Sequence, residues 1–191
     1  MWNVSVRNFV SAGAWAALLL TAVLFPRPCA AASAAAIDEQ VDTALVSFQR
    51  QFAGARGLLK SAAGVLVFPK VYKAGIVVGG EYGEGALRIR GRTVEYYTTA
   101  AASLGLQLGA QKKTIIFLFM QQPVLERLRK GKGWKVGVDA SVTLVDVGGG
   151  GATDSEQLNK PILGFVLGRS GLMYNLTLEG SKITKFVPRK R

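Results

Sequence analysis

The sequence predicts an α+β domain in which an N-terminal amphipathic helix packs on a curved, mostly antiparallel, barrel-like sheet with one short inserted helix. Three observations lead to this prediction. One segment with helical periodicity comes first, short apolar or alternating segments joined by tight turns follow it, and glycines recur inside those segments. Helices segregated from hairpin-linked strands are typical of the α+β class, and glycines inside strands allow the bends of a strongly curved sheet.

Residues 1–34 have the pattern of a signal peptide. Arg7 forms a short positive region, residues 9–25 form an uncharged apolar run, and prolines and then alanines follow that run. The run is at the short limit of a membrane span, so an uncleaved anchor is the less favoured alternative. The sequence therefore predicts an exported protein, peripheral to a membrane in the periplasm or cell envelope, with one domain over residues 35–191.

The end of this leader predicts ordinary cleavage instead of lipidation. Cys29 is the only cysteine, and residues 26–28 before it are Pro-Arg-Pro instead of the apolar and small residues that lipoprotein processing needs. Small residues at the right offsets favour cleavage after Ala32 or Ala34, which gives a mature N-terminus within residues 31–37. Cleavage would remove Cys29, so the mature domain is expected to rely on its hydrophobic core and not on disulfides.

The chain is strongly basic, with 24 Lys and Arg, 12 Asp and Glu, and a formal net charge of +12. Only Arg7 and Arg27 of these bases lie in the leader. Such a balance favours polyanionic partners, namely nucleic acid, anionic lipid headgroups or acidic envelope polymers. Because an exported protein rarely meets nucleic acid, we expect anionic membrane lipids as partners and no nucleic acid.

Residues 37–60 repeat apolar side chains at helical spacing. The stripe consists of Ile37, Val41, Ala44, Leu45, Phe48 and Phe52. It predicts a helix packed on the core, since a helix lying on a membrane would carry more Lys and Arg on its polar face. Gly54 and Gly57 are expected to interrupt or end this helix.

Strand patterns fill most of the remaining chain. The predicted strands lie at residues 64–68, 86–90, 93–98, 102–108, 113–120, 134–147, 162–167, 172–178 and 182–187, with one short helix at 121–130 and a flexible loop at 148–151. Pro69 is expected to stop the first strand, because proline cannot donate to a ladder. Gly91 and Arg92 are predicted to form a two-residue turn with glycine first, as a type II′ turn requires.

Residues 74–87 contain five glycines next to apolar residues, a pattern that first suggests a phosphate-binding loop. The spacing excludes one, because Glu81 stands where a P-loop needs Lys, and no dinucleotide G-x-G-x-x-G fingerprint is complete. We therefore expect one or two strongly bent strands here, with structural roles for Gly79, Gly80 and the later Gly105.

The sequence offers little for catalysis. There is no histidine, which excludes the commonest general base and the commonest zinc ligand, and cleavage would leave no cysteine nucleophile. Glu81 and Glu84, with Glu95 on a paired strand, are the carboxylates that a glycosidase-like reaction would use. Solvated turn residues that balance nearby bases are the favoured interpretation, so no catalytic residue, metal site or cofactor is predicted.

Residues 123–135 combine apolar and basic side chains in a short helix and the loop after it. Five bases oppose Glu126, and Trp134, a residue type that favours membrane interfaces, stands among them. The alternative is that Trp134 begins the next strand and packs inward. With bases from elsewhere in the chain, the predicted lipid-binding residues are Lys70, Lys73, Lys112, Lys113, Arg127, Arg129, Lys130, Lys132, Trp134 and Lys135.

Three blocks of the sequence resemble a known family. They read "VLVFPKVYKAGIVVGGEYGEGAL" at residues 65–87, "YYTTAAASLGLQLGAQKKTIIFLF" at 96–119 and "GWKVGVDASV" at 133–142. These blocks resemble the SYLF domain family, also called the lipid-binding or yeast-type actin-binding domain family, over about residues 37–187. The resemblance implies binding to membrane lipids, phosphoinositides among them, and no catalysis. Actin binding belongs to members fused to SH3 modules, so actin is an unexpected partner for what resembles a bacterial exported member.

The function expected from these observations is a non-catalytic envelope protein that binds anionic lipid or phosphoinositide-like headgroups at a membrane surface. Two alternatives stay open at this point. One is a structural envelope protein without a specific ligand, and the other is a carboxylate-based hydrolase of envelope polymers.

Overall fold

The computed structural model describes residues 32–75, 78–104, 111–131, 133–145, 159–168, 171–172, 178 and 180–189. Over these residues the chain forms three helices and nine strands. The helices are α1 (Ala34–Gln51), α2 (Ala55–Ser61) and α3 (Gln122–Lys130). The strands are β1 (Gly64–Gly75), β2 (Val78–Ile89), β3 (Arg92–Leu104), β4 (Gln111–Phe119), β5 (Trp134–Lys135), β6 (Thr143–Leu144), β7 (Ile162–Gly168), β8 (Gly171–Leu172) and β9 (Lys182–Phe186).

One curled, half-barrel sheet contains all nine strands, in the order β5-β9-β3-β2-β1-β4-β7-β6, with β8 also paired to β7. The pairings are antiparallel except for that of β6 with β7. Helix α1 packs on β1 and β2. The predicted α+β architecture is therefore confirmed. None of the described helices is long and apolar enough to cross a membrane.

The sheet buries side chains on both of its faces. Val67 and Ile116 belong to a cluster with α1 and α2, and we call this side the α1 face. Leu66 and Phe117 belong to a second cluster with Leu125 of α3, on what we call the α3 face. Because successive strand residues point to opposite faces, a strand covered on both must be apolar throughout. This explains the uninterrupted apolar run of β4, each large side chain of which contributes roughly 1.5–3 kcal/mol when fully buried.

The predicted N-terminal helix is present but divided. Its apolar stripe is buried, and the Phe48 ring lies 4.7 Å from the ring of Phe165 on β7. The helix breaks at residues 52–54, which confirms the expected interruption at Gly54, whereas Gly57 lies inside α2 and does not interrupt it. At its start the Ser33 hydroxyl accepts a hydrogen bond from the Ala36 amide at 3.3 Å, so Ser33 is the N-cap.

Polar contacts fix the first half of α1 to the turn between β2 and β3. The Asp38 carboxylate accepts hydrogen bonds from Thr93 at 2.6 Å and from Tyr96 at 3.0 Å. Arg88 pairs with Asp42 at 2.8 Å. Burial raises the pKa of Tyr96, and the hydrogen bond to Asp38 raises it further. The start of α1 is thus held against the beginning of β3.

Pro69 does not stop the first strand, which corrects the sequence-based prediction. Strand β1 continues through it to Gly75, and the register with both neighbours shifts around this point. A Cβ on Gly83 would lie 2.8 Å from the Lys70 carbonyl oxygen, and one on Gly85 would collide with the Val67 carbonyl. Gly83 and Gly85 are therefore needed because the irregular part of β1 approaches β2 too closely for a side chain. This confirms that glycines in this stretch have a structural role.

The individual glycine roles were placed wrongly in part. A Cβ on Gly80 would have only an ordinary contact, 3.9 Å from the Ala101 carbonyl oxygen. Gly80 therefore has no packing requirement, whereas Gly83 and Gly85 do. Gly105, Lys132, the loop at 148–151 and most of the predicted strand at 172–178 lie outside the described residues.

Two predicted local structures differ from the fold. The β2–β3 turn is formed by Arg90 and Gly91, both with positive φ (50° and 77°), instead of by Gly91 and Arg92. Two positive φ values define a type I′ turn and not the predicted type II′. The predicted long strand at 134–147 is divided into β5 and β6, because Gly137 (φ 84°) and the Asp139 carboxylate, which accepts from the Lys135 amide at 2.6 Å, form a compact turn.

Candidate membrane-binding surface

One register row of the sheet is exposed across six strands. From β5 through β9, β3, β2 and β1 to β4, the paired residues are Lys135, Lys182, Ala100, Tyr82, Tyr72 and Lys112. All six are exposed. Paired residues on neighbouring strands point to the same face, and a strand spacing of about 4.8 Å gives the row a width of about 24 Å. We call these six residues the aromatic–basic row.

The row lies on the α1 face of the sheet. Tyr82 is four residues from Ala86 on β2, and Lys112 is four residues from Ile116 on β4. Ala86 and Ile116 both belong to the apolar cluster under α1. Since strand residues separated by an even number share a face, the row continues the face that α1 covers elsewhere.

Two tyrosines form the centre of the row. Tyr72 and Tyr82 are directly opposite each other on β1 and β2, and they are 52% and 48% exposed. The Tyr82 hydroxyl donates a hydrogen bond to the Glu84 carboxylate at 3.0 Å. A tyrosine has an apolar ring and a polar tip, which suits it to the boundary between lipid and water.

Lysines stand at both ends of the row. Lys135 and Lys182 are opposite each other on β5 and β9, Lys112 flanks Tyr72, and Lys70 lies two residues before Tyr72 on β1. None of these four lysines forms an ion pair with a described residue. Like charges directly opposite in a sheet destabilise it, so the pairing of Lys135 with Lys182 does not serve stability and favours an external anion, whereas Lys70 is opposite Glu84.

The structure brings together only part of the predicted lipid-binding set. Lys70, Lys112 and Lys135 lie on the α1 face with the row, and Arg127 and Lys130 are exposed on α3. Sequence analysis did not identify Tyr72, Tyr82 or Lys182. The alternation of Lys70 with Tyr72, and of Tyr82 with Glu84, was the local signal for an exposed strand face, but the pairing of the strands was not visible in the sequence.

Trp134 is placed in the core and not at a surface, which corrects its assignment to an interface. It is 6% exposed, and its ring lies 5.8 Å from that of Phe117 and 5.9 Å from that of Phe119. Trp134 begins β5 and points to the α3 face, opposite Ile183. The inward-packed alternative is the arrangement found.

Lys113 is also buried, whereas its neighbour Lys112 is exposed. Lys113 is 8% exposed, and its ammonium lies 2.6 Å from the Glu81 carboxylate. Lys73 is half-buried and pairs in register with the same Glu81. Alternation along β1 and β4 sends Lys73 and Lys113 to the α3 face, so neither joins the aromatic–basic row.

Arg129 is held by a carboxylate on the sheet. Its guanidinium donates to Glu95 at 3.2 and 3.3 Å, and Lys185 and Tyr97 also donate to Glu95, at 2.9 and 2.7 Å. Burial alone would raise the pKa of Glu95, but these hydrogen bonds and the charge of Arg129 outweigh it and hold the pKa below its ordinary value. Burial raises the pKa of Tyr97, and Glu95 adds to that shift. Arg129 thus links α3 to β3.

The candidate catalytic carboxylates do not meet. Glu81 and Glu84 lie three residues apart on β2, so they point to opposite faces of the sheet. Glu95 pairs with Leu87, six residues along β2 from Glu81, a separation of about 20 Å. Glycosidase carboxylates lie roughly 5 to 9.5 Å apart. Among the described residues there is also no group of three or more His, Cys, Asp or Glu that could hold a metal ion.

Together, the fold and this surface define a small α+β domain that presents an open, basic sheet face. Residues 100–186 match the family described as "Las17-binding protein actin regulator", Ysc84. The match confirms the resemblance to the SYLF family over these residues. It begins within β3 and ends with β9, so the predicted extension over residues 37–99 stays a prediction. A comparison with curated proteins gives no match.

Proposed function

We propose that the protein binds anionic membrane surfaces without catalysing a reaction, as an exported protein of the cell envelope. The observation that supports this most directly is the aromatic–basic row, in which exposed lysines without described acidic partners flank two exposed tyrosines. Each basic residue near an anionic membrane contributes about 1 kcal/mol, and less as salt rises. Tyrosine rings at headgroup depth add apolar contact that salt does not screen.

The lipid-binding role attributed to the SYLF family agrees with this proposal. The family description also names Las17 binding and actin regulation. Those partners are unexpected for this chain, because the signal peptide predicted at residues 1–34 would direct it away from a cytoskeleton. A hydrolase is disfavoured by the separation of Glu81, Glu84 and Glu95. A structural envelope protein without a ligand remains the alternative that the experiment must exclude.

A matched pair of double variants tests which surface binds. Lys112→Glu with Lys182→Glu reverses two charges of the row, and Arg127→Glu with Lys130→Glu reverses two on α3. All four side chains are exposed, so both variants should fold, which circular dichroism would check. Loss of two attractive contacts is worth about 2 kcal/mol, so the row variant should bind anionic vesicles at least about thirtyfold more weakly.

Co-sedimentation with anionic and neutral vesicles at low and high salt gives the readout. The proposal requires wild-type binding that depends on anionic lipid, a large loss in the row variant and a small loss in the α3 variant. The opposite ranking would move the binding surface to α3. Absence of wild-type binding to every anionic composition would refute membrane binding and favour the structural alternative.

A further inference from the structure

A cavity of about 510 Å³ opens to solvent at the end of the sheet, between the start of α1, the beginning of β3 and the end of β9. Its volume is within the range of natural small-molecule sites, about 300–1,000 Å³. Val94, Tyr96, Phe186 and Val187 contribute its apolar lining. The Tyr96 and Phe186 rings, 6.4 Å apart, line it from the α1 face. None of its lining residues belongs to the aromatic–basic row.

Apolar side chains are left uncovered at this cavity. Val187 is 87% exposed and Val94 is 43% exposed, and both line the same opening. A soluble domain loses hydrophobic stabilisation by leaving large apolar groups in water, and clustered exposed groups usually mark a binding site. The ligand that would cover them must therefore itself be apolar along most of its length.

Two basic residues, Lys185 and Arg189, lie at the rim of the cavity, and only Lys185 has an acidic partner among the described residues. Arg189 is exposed and forms no ion pair with a described residue. Lys185 and Glu95 also line the cavity, and the Lys185 ammonium donates hydrogen bonds to the Glu95 carboxylate and to the Arg129 carbonyl oxygen, so these two opposite charges are paired with each other. The available cation is thus the guanidinium of Arg189, whose planar fork suits a carboxylate.

We infer that this cavity binds a fatty acid, with the alkyl chain against Val94, Phe186 and Val187 and the carboxylate at Arg189. The site is separate from the proposed membrane surface, and the inference does not depend on vesicle binding. An alkyl chain would cover the exposed valines of the lining. An anionic head group would pair with Arg189, the basic residue at the rim that forms no ion pair with a described residue. A purely apolar ligand would leave Arg189 without a role, and a cationic amphiphile would be repelled by it.

Titration of the purified chain with dodecanoate below its micelle concentration, in the absence of vesicles, tests the inference by calorimetry. Saturable binding is expected, whereas dodecyltrimethylammonium, with the same chain and a cationic head, should bind at least about tenfold more weakly. Decanoate should also bind more weakly, by up to about fourfold for each methylene removed. Equal affinity for the anionic and cationic amphiphiles would overturn the assignment.

Two variants at exposed positions locate the site. Arg189→Gln should weaken dodecanoate binding at least about fivefold, and Arg127→Gln, an exposed arginine on α3, should leave it unchanged. Val187→Asp places a charge among the apolar lining residues and should abolish saturable binding. Unchanged binding in both cavity variants would refute the site. The Lys112→Glu, Lys182→Glu double variant should retain dodecanoate binding, which separates failure of this inference from failure of the proposed membrane surface.

Discussion

Replacement of Glu95 by glutamine is expected to loosen α3 from the sheet. Glu95 accepts hydrogen bonds from Tyr97, from two nitrogens of Arg129 and from Lys185. Glutamine keeps the shape but loses the charge, and its NH₂ group cannot accept from Arg129 or Lys185. Hydrogen bonds to a charged group are worth about 1.5–3 kcal/mol when buried, but Arg129 and Lys185 are partly exposed, so solvent screening reduces their contribution. We expect a loss of about 2 kcal/mol, or roughly 4–8 °C in Tm.

The pH dependence distinguishes this carboxylate from an ordinary packing residue. The pKa of Glu95 is lower in the folded protein than its ordinary value of 4.5. The charged form is therefore stabilised by folding, and that stabilisation is complete above the unfolded pKa and lost as pH falls through the folded pKa. The difference between wild type and Glu95→Gln should be largest near neutral pH and should shrink below about pH 4.

Urea unfolding at pH 7 and at pH 3 measures both expectations. Glu126→Gln is the control on α3, because its pair with Lys130, at 3.6 Å, is exposed and should be worth less than about 0.5 kcal/mol. Equal stability of Glu95→Gln and wild type at pH 7, or an equal gap at both pH values, would refute the reasoning. The same contact means that reversing Arg129 would place two carboxylates together, so Arg129 is unsuitable for testing lipid binding.

Two further predictions concern the glycines and the N-terminus. Gly85→Ala should cost about 3 kcal/mol or more in urea unfolding, because its Cβ collides with β1, while Gly80→Ala should change stability by less than about 0.5 kcal/mol; comparable losses would contradict the packing argument. Intact-mass measurement of the protein from its native host should give a mature chain that retains Ser33, since a start at Ala35 would remove the N-cap and cost about 1 kcal/mol. A mass that still includes residues 1–31 would contradict signal cleavage.

Local patterns in the sequence predicted the elements that depend on local physics. The stripe beginning at Ile37 gave the helix, and the apolar run of β4 gave a strand buried on both faces. Predicted elements were wrong where a local contact or turn changed the course of the chain. Alternation continued past Trp134, but the turn at Gly137 and the Asp139 carboxylate ended the strand. Pro69 was compatible with β1 because the register shifts there.

The candidate site was only partly predictable, because it depends on register between distant strands. The sequence indicated that Lys112 and Lys113 were both basic surface residues, whereas the pairing of β4 exposes one and buries the other against Glu81. No local pattern connects Tyr72 on β1 with Lys182 on β9, since β2 and β3 lie between them in the sheet. The bases around Trp134 favoured an interfacial position for it, and the inward-packed alternative could be decided only by the pairing of β5 with β9.

The position of β9 between β3 and β5 has a consequence for the order of folding. Strands β1 to β3 are neighbours in sequence and in the sheet, so they can pair as soon as they are synthesised. The other edge of β3 must wait for a partner such as Lys185, which pairs with Tyr97 across a long stretch of chain. Until β9 has been made, the partly folded sheet of β1 to β3 keeps an unpaired hydrogen-bonding edge on β3. Such an edge can pair with another chain and cause aggregation. We therefore expect the pairing of β9 with β3 to be a late step in folding, whatever the mature surface binds.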